Sequence, residues 1–157
     1  MPQIEIKEKN KQTITKRRTS VFDKYKDLGD EDILIEEKLI IYLSYLKIAP
    51  NLKGYACMKK CVKRILEDPL KKRNMTNVLY KELAQEYHMA SNLIDRAMRH
   101  ALLVSFKKDG VEEFEEKTGY TFPSCRPTPR EAVCLLAELV RMDLIAFKAN
   151  KKFENLA

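Results

Sequence analysis

The sequence predicts an all-α protein of about six helices around a central helix-turn-helix. Three observations carry that prediction. Apolar residues from about 33 to 144 recur at helical spacing, and no stretch has the alternation of a convincing strand. The chain has only four Gly and six Pro, and the prolines punctuate the periodic segments rather than interrupt them. Residues 75–108 form two amphipathic segments joined by a tight turn, with arginines on the polar side of the second.

Residues 1–30 are polar and mixed in charge, with Lys16, Arg17 and Arg18 adjacent, and have too few apolar side chains for a core. They read as a mobile basic arm, extended or partly helical. Gly29–Asp30 marks its end. A helical domain is expected over 31–147, followed by a tail from Lys148 that extends the last helix or frays.

The first helix is expected from about Glu31 to Lys47, with Ile33, Leu34, Glu37, Leu39, Ile40, Leu43 and Leu46 mostly turned inward and Ala49–Pro50 ending it. A second runs from near Asn51 to Glu67, carrying Tyr55, Met58, Val62, Ile65 and Leu66 inward, and Pro69 stops it. In the first motif helix Val78, Leu79, Leu83 and Ala84 make the apolar face and Tyr87 continues it; Tyr87–Ala90 has the length of a turn.

The second motif helix, 92–107, places Ile94, Ala97, Met98, Ala101, Val104 and Ser105 in one arc at 100° per residue. Arg96, Arg99, His100 and Lys107 fall opposite, with Asn92 and Asp95 at the edge. Asn92 is read as N-cap, which puts Asp95 at N3 beside the positive end of the helix. A short helix follows over Val111–Lys117. Then comes a proline-bearing loop, and Thr128, Pro129 and Glu131 form a capping box that opens a helix carrying Val133, Leu136, Ala137, Val140 and Leu144.

The net charge of +7 favours a polyanionic partner, and its distribution sharpens the point. Residues 53–108 hold 13 Lys and Arg against 5 Asp and Glu, a local +8, and the acidic cluster Glu112, Glu113, Glu115 and Glu116 lies just beyond. Lys53, Lys59, Lys60, Lys63, Lys107 and Lys108 are the candidates for neutralising phosphates. Arg96 and Arg99, with Asn92 and Asp95 beside them, are the candidates for base contact, because a guanidinium matches guanine's O6 and N7.

The four cysteines, Cys57, Cys61, Cys125 and Cys134, have no paired metal-ligand spacing and are expected to be buried free thiols. Without a secretion signal they suit a reducing, cytoplasmic compartment. No metal or cofactor is expected. No apolar run reaches membrane-spanning length, since Glu36, Glu37 and Lys38 interrupt the best stretch. No phosphate loop, nucleophile elbow or paired-carboxylate constellation stands out, so an enzyme is the least expected class.

Five strings carry a resemblance: Leu52-Lys53-Gly54-Tyr55, Val78-Leu79-Tyr80, Asp95-Arg96-Ala97-Met98-Arg99-His100-Ala101, Gly119-Tyr120-Thr121, and Pro127-Thr128 followed by Glu131. In this order, over roughly residues 33–143, the chain resembles the C-terminal DNA-binding effector domain of the master sporulation response regulators of endospore-forming bacteria. The resemblance implies a six-helix fold and binding to short boxes similar to TGTCGAA, often in tandem. It also implies that Arg96 and Arg99 are recognition-helix arginines and that Asp95 is their acidic neighbour. His100 matches a histidine expected to touch phosphate or buttress an arginine; its alternative role is packing.

Two positions depart from the family. Leu93 stands where the family carries arginine, and Leu103 replaces an acidic residue, so readout at one end of the box is expected to differ. Thirty residues before the first helix are too few for the phospho-accepting receiver that precedes this domain in the family. Control by protein level or a partner is therefore expected instead. Double-stranded DNA is the expected partner, with two copies on adjacent boxes and RNA polymerase as further candidates. The competing expectation is an interaction module that modulates a full-length regulator or the polymerase, motivated by the acidic cluster and by Leu93 and Leu103.

Overall fold

The computed structural model describes residues 29–156. The chain divides into two units, 1–34 and 35–157. Of the first, only the opening of α1 and Gly29 before it are described, and the expected arm lies otherwise outside the described residues. Among the described residues there are six α-helices: α1 Asp30–Tyr45, α2 Lys53–Glu67, α3 Tyr80–Tyr87, α4 Ser91–Lys107, α5 Gly110–Thr118 and α6 Pro129–Leu156. Among the described residues there is no strand, and the all-α expectation holds.

Asp30, Glu31 and Asp32 fill the first turn of α1, where negative charge suits the exposed backbone N–H groups. The helix stops at Tyr45, short of Ala49–Pro50, because Lys47 takes a left-handed conformation with φ 55°. Leu39, Leu43 and Leu46 are buried as expected. Ile33, Glu37 and Ile40 are not: all three face outward, Ile40 at 49 % exposure. With core contact limited to one side of α1, a narrow stripe suffices, and the wider inward arc drawn from the sequence overcounts.

The helix α2 starts at Lys53 rather than Asn51 and buries Tyr55, Met58, Val62 and Ile65. It also buries Gly54, where the chain needs a residue without a side chain. A Cβ there would lie 2.4 Å from the Ala97 carbonyl oxygen and 2.7 Å from the Ala101 Cβ, both on α4. The Leu-Lys-Gly-Tyr string thus marks the closest approach of two helices. Packed with α2 are α4 and α6, and their buried Ile94, Met98, Val133, Leu136 and Val140 join Met58, Val62 and Phe114 in one core.

Between α2 and α3 the chain forms a 3-10 turn over Pro69–Asn74 and a π-type stretch over Met75–Leu79. The Asp68 carboxylate accepts the Leu70 N–H at 3.2 Å and opens the turn. The wide turns of the π stretch break the 100° progression. Leu79, Leu83 and Ala84 are buried as expected, whereas Val78 and Tyr87 are exposed, a correction to the predicted face.

The loop before α6 is built by reciprocal hydrogen bonds. The Thr128 hydroxyl accepts the Glu131 N–H at 3.2 Å, and the Glu131 carboxylate accepts the Thr128 N–H at 3.4 Å. Thr128→Ala is expected to cost about 1 kcal/mol, read as a lower urea midpoint at unchanged slope, with Thr128→Ser retaining most of the stability. An unchanged midpoint for the alanine variant would deny the cap a role. The helix continues through Lys148 to Leu156, so residues 148–156 extend it.

Candidate nucleic-acid interface

The turn between α3 and α4 has neither Gly nor Pro, and His88 supplies what they would. It sits in the left-handed region, φ 53° and ψ 45°, which histidine enters more readily than most residues. The following N–H, of Met89, bonds to the Ala84 carbonyl at 3.0 Å and closes the end of α3. Three residues, His88 to Ala90, then turn the chain into α4.

Here α4 differs from its sequence reading. It begins at Ser91, and its N-cap is Ala90, which has no side-chain acceptor. Asn92 is therefore inside the first turn rather than the cap, and Asp95 lies beyond N3. The tight turn from His88 brings the chain to helical geometry two residues before the position that an Asn92 cap implies. The buried face is Ile94, Met98, Ala101, Leu102 and Ser105, with Ala97 and Val104 half-buried. That seats α4 on α2, α3, α5 and α6 along one side only.

The opposite side is free. Arg96, Arg99 and His100 are exposed, which removes the packing alternative for His100. Asn92, Asp95, Arg96 and Arg99 line one open groove of about 560 Å³, together with Thr76, Tyr80 and Ser91. The Arg99 Nε donates to the Asp95 carboxylate at 2.6 Å across one helical turn. That bond occupies the inner nitrogen of a side chain that is otherwise exposed, and it leaves the two terminal Nη groups for other acceptors. The fork geometry needed for paired acceptors is thus preset by a neighbour on the same helix.

The sequence reading missed Thr76, Tyr80 and Ser91. Tyr80 is buried at 4 % exposure, and burial first, then the thiol of Cys61 and the carboxylate of Asp95, hold its hydroxyl well above the ordinary phenol range. It forms part of the groove floor as a neutral hydroxyl. The Val-Leu-Tyr string was a signal for this residue, but not for its place beside Arg99.

The lysines divide into two sets. Lys59 pairs with Glu36 at 2.6 Å, and Lys63 pairs with the same carboxylate. Lys60 and Arg64 each reach Glu86 at 3.1 Å, and Lys71 reaches Glu82 at 3.0 Å. Hydrogen bonding from Lys60 is the leading reason that the Glu86 carboxyl is held below its ordinary value. The local +8 of residues 53–108 overstates the outward charge, because Glu36 lies on α1, outside that window. Lys53, Lys107 and Lys108 are exposed.

Cys57 and Cys61 are buried, and desolvation pushes both thiols up. Cys134 is half-buried and Cys125 is exposed, so the expectation of four buried thiols fails in the loop before α6, where no core covers the side chain. Among the described residues no helix is long and apolar enough to cross a membrane.

A short turn between two packed helices, the second with its arginines turned outward, defines a helix-turn-helix DNA-binding domain. Residues 40–140 match the family described as sporulation initiation factor Spo0A C terminal, and the chain belongs to that family. It is a DNA-binding transcription-regulatory domain of the sporulation-initiation type, and the family is one of regulators rather than enzymes.

Proposed function

We propose that this chain is a sequence-specific transcription regulator that inserts the N-terminal half of α4 into the major groove of duplex DNA. Arg96 and Arg99 read guanine edges there, and Asn92 contacts a neighbouring base. Asp95 holds Arg99 in the reading geometry. The carrying observation is the exposed Arg99, fixed at 2.6 Å by Asp95 in an open groove with Arg96 and Asn92. His100, Lys53, Lys107 and Lys108 contact phosphates. Lys59, Lys60 and Lys63 contribute less than their number suggests, since each must first share Glu36 or Glu86.

Adjacent boxes would seat two copies, with occupancy raised by effective concentration. Leu93 at 40 % exposure on this face predicts a box that departs from TGTCGAA at one end. The test is selection of duplexes from a random pool at one stated salt concentration. Enrichment of a single short box supports the proposal, and recovery of unrelated sequences sinks it.

The exposure of both Leu93 and Leu103, at 40 % each, favours a second reading as a protein-interaction module. Pull-down of RNA polymerase or a full-length regulator without DNA, abolished by Leu103→Asp, would support that reading.

A further inference from the structure

A third arginine lies beside the reading helix, contributed by a different element. Arg126 sits in the loop before α6, and its guanidinium stacks over the Phe106 ring at 4.5 Å. Together with Arg99 and Leu103 it lines a groove of about 260 Å³. Among the described residues no carboxylate is within ion-pair distance of it, so its charge is not cancelled locally.

The loop that carries Arg126 is held by contacts on both sides of that residue. The Ser124 hydroxyl lies 3.1 Å from the Arg126 carbonyl and 2.9 Å from the Glu131 carboxylate, and its single proton serves these two acceptors in turn, linking the loop to the capping box. Pro127, next in sequence, is buried and fixes the backbone behind the side chain. Stacking on a ring occupies the flat face of a guanidinium and leaves its in-plane N–H donors open, the arrangement that grips a phosphate in bidentate fashion.

Position along α4 selects phosphate over base. Phe106 lies ten residues beyond Arg96, about 15 Å along the axis, whereas the major groove is about 12 Å wide. When the first half of α4 occupies the groove, the level of Phe106 stands over the sugar–phosphate edge. On the far side of Phe106 a second groove is lined by Asp109, Glu112 and Glu115, whose charge repels phosphate. That charge favours approach of the backbone to Arg126 from the Arg99 side.

We infer that Arg126 is a DNA phosphate clamp: it grips one backbone phosphate beside the groove and fixes the register in which α4 reads. The inference rests on the proposed groove entry of α4, and its test separates the two. Binding of labelled cognate and scrambled duplexes is measured by fluorescence anisotropy across a salt series, for the wild type, Arg126→Gln, Arg126→Lys and Arg99→Ala.

Arg126→Gln should weaken both duplexes by a similar factor, about tenfold, and lower the slope of log K against log salt by about 0.9. Arg126→Lys should keep the slope and recover part of the affinity. Thermal melts of the variants exclude loss of fold, since Arg126 is exposed. An unchanged slope and affinity for Arg126→Gln, while Arg99→Ala still loses discrimination, overturns the clamp alone. A loss confined to one base-pair position also overturns it, since that marks a base reader. A wild-type protein that binds neither duplex overturns the groove-entry proposal and the clamp together.

Discussion

Gly54→Ala is expected to lower the melting temperature by roughly 4–12 °C, corresponding to about 2–3 kcal/mol of stability. Two opposing terms decide the sign. Replacing glycine by alanine within a helix ordinarily gains about 0.5–1 kcal/mol of backbone entropy. Against that, the added Cβ would stand 2.4 Å from the Ala97 carbonyl oxygen, and a backbone atom cannot rotate away as a side-chain tip can. The overlap wins, and α4 must move off α2.

That displacement has a functional consequence, because Ala97 lies between Arg96 and Arg99 on the reading helix. At a temperature where the variant is still folded, its affinity for the selected box should fall further than its affinity for scrambled duplex. Thermal melting by circular dichroism and duplex titration check the two halves separately. A melting temperature indistinguishable from wild type would show that the helices do not meet at Gly54.

Arg99→Ala is expected to reduce discrimination between the selected box and a box altered at the contacted guanine by about 5- to 150-fold, the equivalent of one bidentate pair at about 1–3 kcal/mol. Weak general binding should persist, because phosphate contacts supply it without reading sequence. The Asp95 bond to Nε adds a finer expectation: Asp95→Asn should lower discrimination less than Arg99→Ala, by loosening the fork rather than removing it. Competition gel shifts at fixed salt give these ratios. Equal loss for every duplex would remove Arg99 from base reading.

The legible parts of this protein are those governed by neighbours in sequence. Thr128 and Glu131 are three residues apart, and their mutual capping follows from backbone geometry alone, so the start of α6 could be placed from sequence. The exposure of Arg96, Arg99 and His100 follows from the phase of one long helix. The capping rule failed at the start of α4: Asn92 is the better capping residue, but His88 enters the left-handed region and the chain becomes helical after Ala90. The π-type stretch at Met75–Leu79 likewise defeated a fixed 100° count and turned Val78 outward.

The sequence by itself determined the helical class, the capping box and the polar arc of α4, because periodicity and short-range hydrogen bonding act within a few residues. Only the tertiary structure decided which charges remain available. Glu36 on α1 engages Lys59 and Lys63 on α2, and the ring of Phe106 on α4 receives Arg126 from the loop before α6. Such pairings depend on where packed helices bring distant side chains together, and a charge count along the chain carries no such distances.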